Sequence, residues 1–374
     1  MGVANPLINH KRDFQIFLKP AGPVCNLSCS YCYYLQKKNL FSSVKVMDAN
    51  LLESVIRQQI EATTEPVVTF SWHGGEPLIA GIDFFRKAIE LQQKYCPPGK
   101  TIRNAVQTNG ILINESWCRF FADHDFGVGL SLDGPEELHN RFRVDKDGSG
   151  TFRKVMHAFD LLVMHGVDPE ILCVIHSKNV NYPKEVYRFF SSLGISFLTF
   201  IPLVARVNGR VTEDSADPEA FGAFLCTVFD EWQQNGIGQI KIQIIEEALR
   251  MAFNIPHSLC IFRPECGGIP VIEHNGNFYS CDHYVAGEHL VGNIQERTVS
   301  AMLDCDRQKI FGRQKASLPQ YCLKCEVLGM CHGECPKNRF ATAPDGEPGL
   351  NYLCPGYRMF FNHCLPMVEA LKGL

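Results

Sequence analysis

Cys25-Asn26-Leu27-Ser28-Cys29-Ser30-Tyr31-Cys32 sets three thiols at C-x3-C-x2-C spacing, with an aromatic residue directly before the third. The run ahead of it, Phe14–Lys19, reads as a short strand, so the thiols sit on the loop that leaves it. Three thiolates on one loop can hold three corners of a cubane [4Fe–4S] cluster, which leaves one iron without a protein ligand and open to a small molecule. The same spacing also suits a zinc site completed by a distant fourth ligand, or three plain buried cysteines. On spacing alone, all three readings stand.

Outward from this loop, strand-like and helix-like stretches alternate over the first 200 residues or so. After Phe14–Lys19, β-rich runs recur at Val67–Trp72, Ile102–Gln107, Val128–Leu132, Ile171–Ile175 and Phe197–Ile201. Between them, Asp48 can cap a helix carrying Leu51, Leu52, Val55, Ile56 and Ile60 on one face, and Asn114 can cap another through Trp117, Phe120 and Phe121. Helical stretches from Thr151 and Pro183 end at Gly166 and Gly194, the glycine punctuation expected at helix C-termini. A further helix starts at Asp217 and Pro218, with Phe221, Phe224, Leu225, Val228, Phe229 and Trp232 on one face. Six strand–helix units in succession imply a parallel sheet, open or curved into a partial barrel. Barrels of this kind carry their chemistry at the C-terminal ends of the strands. The segments that follow these strands are the cysteine loop, Gly74-Gly75-Glu76-Pro77, Thr108-Asn109-Gly110, Asp133-Gly134-Pro135 and Pro202-Leu203-Val204. The unusual residues therefore fall on one rim.

The whole chain has 374 residues, of which 45% are hydrophobic and 20% charged, enough for one large barrel or two domains with ordinary cores. Its formal net charge of −4 disfavours a nucleic-acid binder that relies on a broad positive surface. Residues 1–13 show no apolar signal core, Pro6 stands where myristoylation requires Ser or Thr, and no apolar run reaches membrane-spanning length. We expect a cytoplasmic protein without membrane contact. In that setting the 17 cysteines should remain reduced, and their odd number further disfavours a disulfide scaffold. Nine of them lie between Cys260 and Cys354, where Gly and Pro abound and regular segments are short. We place the first unit at 1–235 and a second, metal-organised unit at 236–374.

The loop Cys25–Cys32 resembles the cluster-binding loop of the radical S-adenosylmethionine (SAM) superfamily, and Gly74-Gly75-Glu76-Pro77 resembles that superfamily's Gly-Gly-Glu-Pro motif. The resemblance implies a partial (β/α)6 barrel in which Cys25, Cys29 and Cys32 hold the catalytic cluster. It also implies that Tyr31, Gly74, Gly75, Glu76, Ser131, Arg143 and Val204 lie where relatives contact SAM. Glu76 would accept from the methionine ammonium, and Arg143 would pair with the carboxylate. A core role for Val204 and a solvated surface role for Arg143 are the plainer alternatives.

The C-terminal pattern is more specific. Cys266, Gly276 and Cys281 are followed by Cys322-x2-Cys325-x5-Cys331-x3-Cys335 and then Cys354, which resembles the SPASM extension of radical SAM peptide maturases. With Cys260 there are eight thiols, enough for two [4Fe–4S] clusters, or by spacing for a pair of zinc sites. Ser71–Pro77, Ser131–Pro135, Tyr279–His283, Cys331–Phe340 and Asn351–Cys354 are similar to the anaerobic sulfatase-maturating enzymes. That family implies one auxiliary cluster on Cys260, Cys266, Cys281 and Cys335, and a second on Cys322, Cys325, Cys331 and Cys354. It implies a 5′-deoxyadenosyl radical that takes hydrogen from Cβ of a sulfatase Cys or Ser. Asp282 would be the general base and an auxiliary cluster the electron acceptor, with Cα-formylglycine as product. A carboxylate that merely caps a turn is the plainer reading of Asp282. The expected partners are a sulfatase polypeptide with a Cys/Ser-x-Pro/Ala-x-Arg motif and a one-electron donor such as flavodoxin or ferredoxin. Two rival readings are a SPASM maturase that cross-links another peptide and a non-catalytic metal-binding scaffold. Cys96, Cys118, Cys173, Cys226, Cys305 and Cys364 read as small core or surface residues.

Overall fold

We describe a computed structural model of the chain over residues 14–41 and 45–372. The readings made on residues 1–13 lie outside the described residues. Strands β1 (Phe17–Lys19), β2 (Val67–Trp72), β3 (Thr101–Thr108), β4 (Phe126–Ser131), β5 (Pro169–Ile175) and β6 (Phe197–Pro202) pair in sequence order, all parallel. Helices cover the connections, as the alternation predicts. Asp48 accepts from the Leu51 N–H at 2.9 Å, and the face carrying Leu51, Leu52, Val55, Ile56 and Ile60 is buried. Asn114 and Asp217 cap their helices in the same way. Thr151 does not. Its hydroxyl donates to the Arg143 carbonyl instead, a bond that serves the site described below. Parallel strands bury both faces, and Trp72, Phe85 and Trp117 pack edge to face beneath the helices, with successive ring centroids 5.4 Å apart.

The sheet does not stop where the sequence reading divides the chain. Strand β7 (Lys241–Ile242) pairs in parallel with β6 at one edge. At the other, β8 (Val271–Glu273) pairs in parallel with β1, and β9 (Asn277–Tyr279) and β10 (Leu290–Asn293) follow as an antiparallel meander. The result is one ten-stranded sheet in the order β10-β9-β8-β1-β2-β3-β4-β5-β6-β7. The fold is thus α/β, a partial (β/α)6 barrel followed by a cysteine-rich unit that grows from the barrel's first edge. The chain closes on the helix Cys354–Lys372, which lies along the helix Pro218–Asn235. Gly222 and Gly356 let the two backbones touch there: a Cβ at Gly356 would stand 2.2 Å from the Pro218 carbonyl oxygen. Among the described residues, no helix is long and apolar enough to cross a membrane.

Candidate cluster-binding and active site

The segments expected on one rim do meet there. Cys25, Cys29 and Cys32 are half-buried on the loop after β1. Burial pushes the Cys25 thiol up to about 11 and the Cys29 thiol up to about 12. At Cys29 burial outweighs the Arg143 charge, and a buried thiol gives up its proton on binding a metal, which is the donor chemistry an iron cluster needs. The Gly74-Gly75-Glu76-Pro77 turn folds directly under this loop. The Gly75 N–H donates to the Gly22 carbonyl and the Glu76 N–H to the Val24 carbonyl, each at 2.8 Å. A Cβ on Gly75 would stand 2.1 Å from the Val24 oxygen, so only glycine fits.

Glu76 is anchored by the protein around it. Its fully buried carboxylate accepts from the Leu78 N–H (3.0 Å), the Asn109 N–H (2.8 Å) and the Thr108 hydroxyl (2.8 Å), and burial pushes it up to about 7. A carboxylate held by three protein donors braces the rim and keeps one of its about four acceptor positions open. The bracing reaches the cluster loop through Asn109, whose amide donates to Asn26 Oδ1 at 2.8 Å and lies 3.5 Å from Cys25 Sγ. Ser131 is held by Gln107 Nε2 at 3.1 Å, and Val204 packs against the core.

Arg143 is buried. Its Nε and Nη2 donate to the two oxygens of Asp133 at 2.9 and 3.1 Å, and the Tyr31 hydroxyl donates to the same carboxylate at 2.6 Å. Burial alone would raise Asp133, but the Arg143 charge and the hydrogen bonds from Arg143 and Tyr31 outweigh it and hold the carboxyl below its usual value. His139, driven down to about 3 by burial, is neutral; its Nδ1 accepts from the Asp133 N–H, so Nε2 donates to Thr151. One buried network thus ties the cluster loop, through Tyr31, to the end of β4. Asp133→Ala would leave the Arg143 guanidinium buried without its partner, and we expect a loss of about 3–5 kcal/mol in denaturant unfolding. A loss below about 1 kcal/mol would show that water reaches Arg143.

Asp282 closes the rim from the C-terminal unit. It follows Cys281 just beyond β9, and its carboxylate lies 2.6 Å from the ammonium of Lys19, the last residue of β1. The Tyr33 hydroxyl, one residue past Cys32, donates to it at 2.5 Å. Burial would raise Asp282, yet Lys19, His283 and the hydrogen bonds from Lys19 and Tyr33 hold it far below the usual carboxylate range. It caps no turn. Lys19 is itself buried and lies 4.3 Å over the Tyr34 ring, while the Tyr34 hydroxyl donates to buried Glu273.

Lys19, Tyr33, Asn109 and His176 carry contacts that the sequence reading did not assign. For Lys19 a signal existed: a lysine ending an apolar strand, at the barrel end where active sites form. His176, at the end of β5, is buried with its ring 6.2 Å from that of Tyr31. Its Nε2 and the Asn26 Nδ2 have no hydrogen-bond partner among the described residues.

Cys322, Cys325, Cys331 and Cys354 line one small cavity. The Cys281 thiol, pushed up to about 12 by burial, couples to Cys260 and Cys266, and Cys335 couples to Cys281. Cys331 and Cys335 bracket a turn in which His332, Gly333 and Glu334 all have left-handed φ, of 45°, 67° and 49°, so the chain turns back sharply between these two thiols. Of the remaining cysteines, Cys118, Cys173 and Cys364 are buried, and Cys96, Cys226 and Cys305 are half-buried. Among the described residues, no three His, Cys, Asp or Glu side chains are set to hold a single metal ion.

Comparison with known proteins agrees with this geometry. The Radical SAM superfamily matches residues 20–190, and an iron-sulfur cluster-binding domain, SPASM, matches 266–326. A serine-type anaerobic sulfatase-maturating enzyme of Bacteroides thetaiotaomicron is 42% identical over 96% of this chain and 92% of its own length. A cysteine-type enzyme of Clostridium perfringens is 33% identical over 94% and 96%. The solved structure of anSMEcpe with bound AdoMet superposes with a TM-score of 0.87 at 32% identity, covering 96% of this chain and 99% of that one. The same enzyme with AdoMet and the Cp18Cys peptide gives 0.87 at 32%, covering 96% and 98%.

Proposed function

Because the chain belongs to the anaerobic sulfatase-maturating enzymes of the radical SAM superfamily, we propose how its own residues carry out that family's reaction. The enzyme is an oxidoreductase that converts an active-site cysteine or serine of a sulfatase to Cα-formylglycine. Three [4Fe–4S] clusters and SAM, when bound, supply the 5′-deoxyadenosyl radical and the sinks for the substrate electron. Cys25, Cys29 and Cys32 hold the catalytic cluster. Cys260, Cys266, Cys281 and Cys335 hold one auxiliary cluster, and Cys322, Cys325, Cys331 and Cys354 the other. We keep residues 1–235 as the barrel and 236–374 as the auxiliary unit.

Tyr31, Gly74, Gly75, Ser131, Arg143 and Val204 line or brace the SAM site, with Asp133 orienting Arg143. Glu76 braces the rim through three protein donors and accepts from the methionine ammonium with its remaining acceptor position. Asn26 Nδ2 and His176 Nε2 are buried donors of the kind a polar ligand satisfies. The peptide donor is a sulfatase segment with a Cys/Ser-x-Pro/Ala-x-Arg motif, and electrons come from a flavodoxin- or ferredoxin-like protein.

One observation supports the base assignment above the others. The Asp282 carboxylate lies between the end of β1 and the cluster loop while its backbone is fixed by Cys281. An ionised carboxylate there can take the substrate proton next to both the site of hydrogen removal and the electron's destination. Tyr33 and Lys19 orient it, and the barrel keeps water from the radical. The test is anaerobic turnover of paired peptides that differ only in Cys or Ser at the target position, read by mass spectrometry and by hydrazine capture of the aldehyde. We expect formylglycine with a SAM-derived 5′-deoxyadenosine in step. An internal cross-link in place of an aldehyde would instead favour a maturase of another peptide.

A further inference from the structure

Two cations near the auxiliary thiols make no ion pair with any carboxylate of the described residues. Lys315, just past the helix Asp306–Gln314, is fully buried. Its Nζ donates to the carbonyls of Cys260 and Ile261, each at 2.7 Å, and of Arg263. A neutral amine has only two N–H bonds, so three carbonyl acceptors select the ammonium form. These carbonyls belong to the short turn Cys260–Phe262 and its end, and the ammonium is therefore clamped to the backbone of an auxiliary ligand. Arg339 is bound still more completely. It donates to the carbonyls of Lys315 (2.6 Å), Ser317 (3.4 Å), His332 (2.8 Å), Gly333 (2.8 Å) and Glu334 (3.1 Å). Five acceptors match the five guanidinium N–H bonds, and three of them come from the left-handed turn between Cys331 and Cys335. The buried Glu334 carboxylate turns away to Asn338 and Asn351.

Burying a charge against carbonyls alone is costly unless an opposite charge lies nearby. The buried Glu334 carboxylate supplies part of that charge, and a [4Fe–4S] cluster on four thiolates, itself an anion, would supply the rest. Lys315 interacts electrostatically with the Cys266 and Cys260 sulfurs and with the Glu334 carboxylate, whereas Arg339 interacts with Cys266, with Cys322 and Cys331, and with the same carboxylate. We propose that Lys315 and Arg339 set the reduction potentials of the auxiliary clusters, Lys315 acting on the cluster of Cys260, Cys266, Cys281 and Cys335, and Arg339 acting on both. This rests on the cluster assignments proposed above. When the substrate carbon has lost a hydrogen atom to the deoxyadenosyl radical and a proton to Asp282, one electron remains to be passed on. The auxiliary thiols would hold an oxidised cluster able to accept it, at the gain of one unit of negative charge, as the substrate becomes the thioaldehyde or aldehyde. Fixed positive charges favour the more negative state and so make the clusters better acceptors.

The experiment is a redox titration of the reconstituted full chain, followed by EPR, for wild type, Lys315→Gln, Lys315→Arg and Arg339→Gln. At a fixed ambient potential, Lys315→Gln should lower the reduced-to-oxidised ratio of one auxiliary cluster about tenfold, about 59 mV for a one-electron couple. The other auxiliary cluster and the catalytic one should not move, Lys315→Arg should match wild type, and Arg339→Gln should lower both auxiliary ratios. Unchanged potentials in an iron-replete Lys315→Gln enzyme would overturn the proposal, as would an equal shift of all three clusters. Should Lys315→Gln fail to keep its iron, Arg339→Gln decides by the same readout, and loss of auxiliary iron from both variants overturns the proposal in favour of a purely structural role. Wild-type enzyme without any iron–sulfur signal would remove the cluster assignments themselves, a failure distinct from unmoved potentials.

Discussion

Replacing Cys25, Cys29 and Cys32 together by Ala is expected to cut the iron content of anaerobically reconstituted enzyme from about 12 to about 8 atoms per chain, one cubane in three. The remaining iron should survive because the eight C-terminal thiols share no ligand with the barrel loop, and four of them line a cavity of their own. The same variant should lose all reductive SAM cleavage, since only a site with three thiols leaves an iron open to SAM. Barrel stability should change little, because the loop stays pinned by the Tyr31–Asp133 bond and by Asn109 on Asn26. Stoichiometric zinc with little iron in the wild type, or SAM cleavage that persists in the triple variant, would refute the assignment.

Asp282→Asn is the second large effect. The carboxylate is ionised across the working pH range, held so by Lys19 and Tyr33, so its loss removes a standing proton acceptor. General-base assistance is typically worth ~10²–10⁴-fold, and formylglycine formation should fall within that range. Production of 5′-deoxyadenosine should fall much less, because hydrogen removal from Cβ does not wait for the proton. The substitution also leaves the buried Lys19 ammonium without its counter-charge, which carries a stability cost. The double variant Lys19→Met with Asp282→Asn removes both charges. It should recover much of the stability and none of the turnover. Recovery of turnover in the double variant, or tight coupling of both products at wild-type rates in the single one, would show that Asp282 is only structural.

The barrel was legible because each strand is a short apolar run closed by a helix with its own cap. Val67–Trp72 was bounded correctly from the sequence, and Asp48, Asn114 and Asp217 cap as their side chains predict. The C-terminal extension of the sheet was not legible, since β8 and β9 have three residues each, too few to show a period of two. The interleaved thiol groups came from family likeness, because spacing cannot reveal a left-handed turn whose only glycine is Gly333. At Glu76 the sequence shows a carboxylate beside two glycines but not the Thr108 hydroxyl and the Leu78 and Asn109 amides that anchor it. Lys315 and Arg339 were invisible for a similar reason. Their partners are backbone carbonyls, which every residue has, so no side-chain pattern announces them.

The pairing of β1 with β8 also fixes an order of events during synthesis. Until Val271–Glu273 has been made, β1 has β2 on one side and open N–H and C=O groups on the other. Some 250 residues separate Lys19 from Val271, which at about 5–20 residues per second is about 13–50 s of exposure on the ribosome. Exposed strand edges recruit foreign strands, and the hazard grows with their length. At three residues, β1 offers a stray chain little to grip, so the nascent barrel can wait for its own C-terminal third.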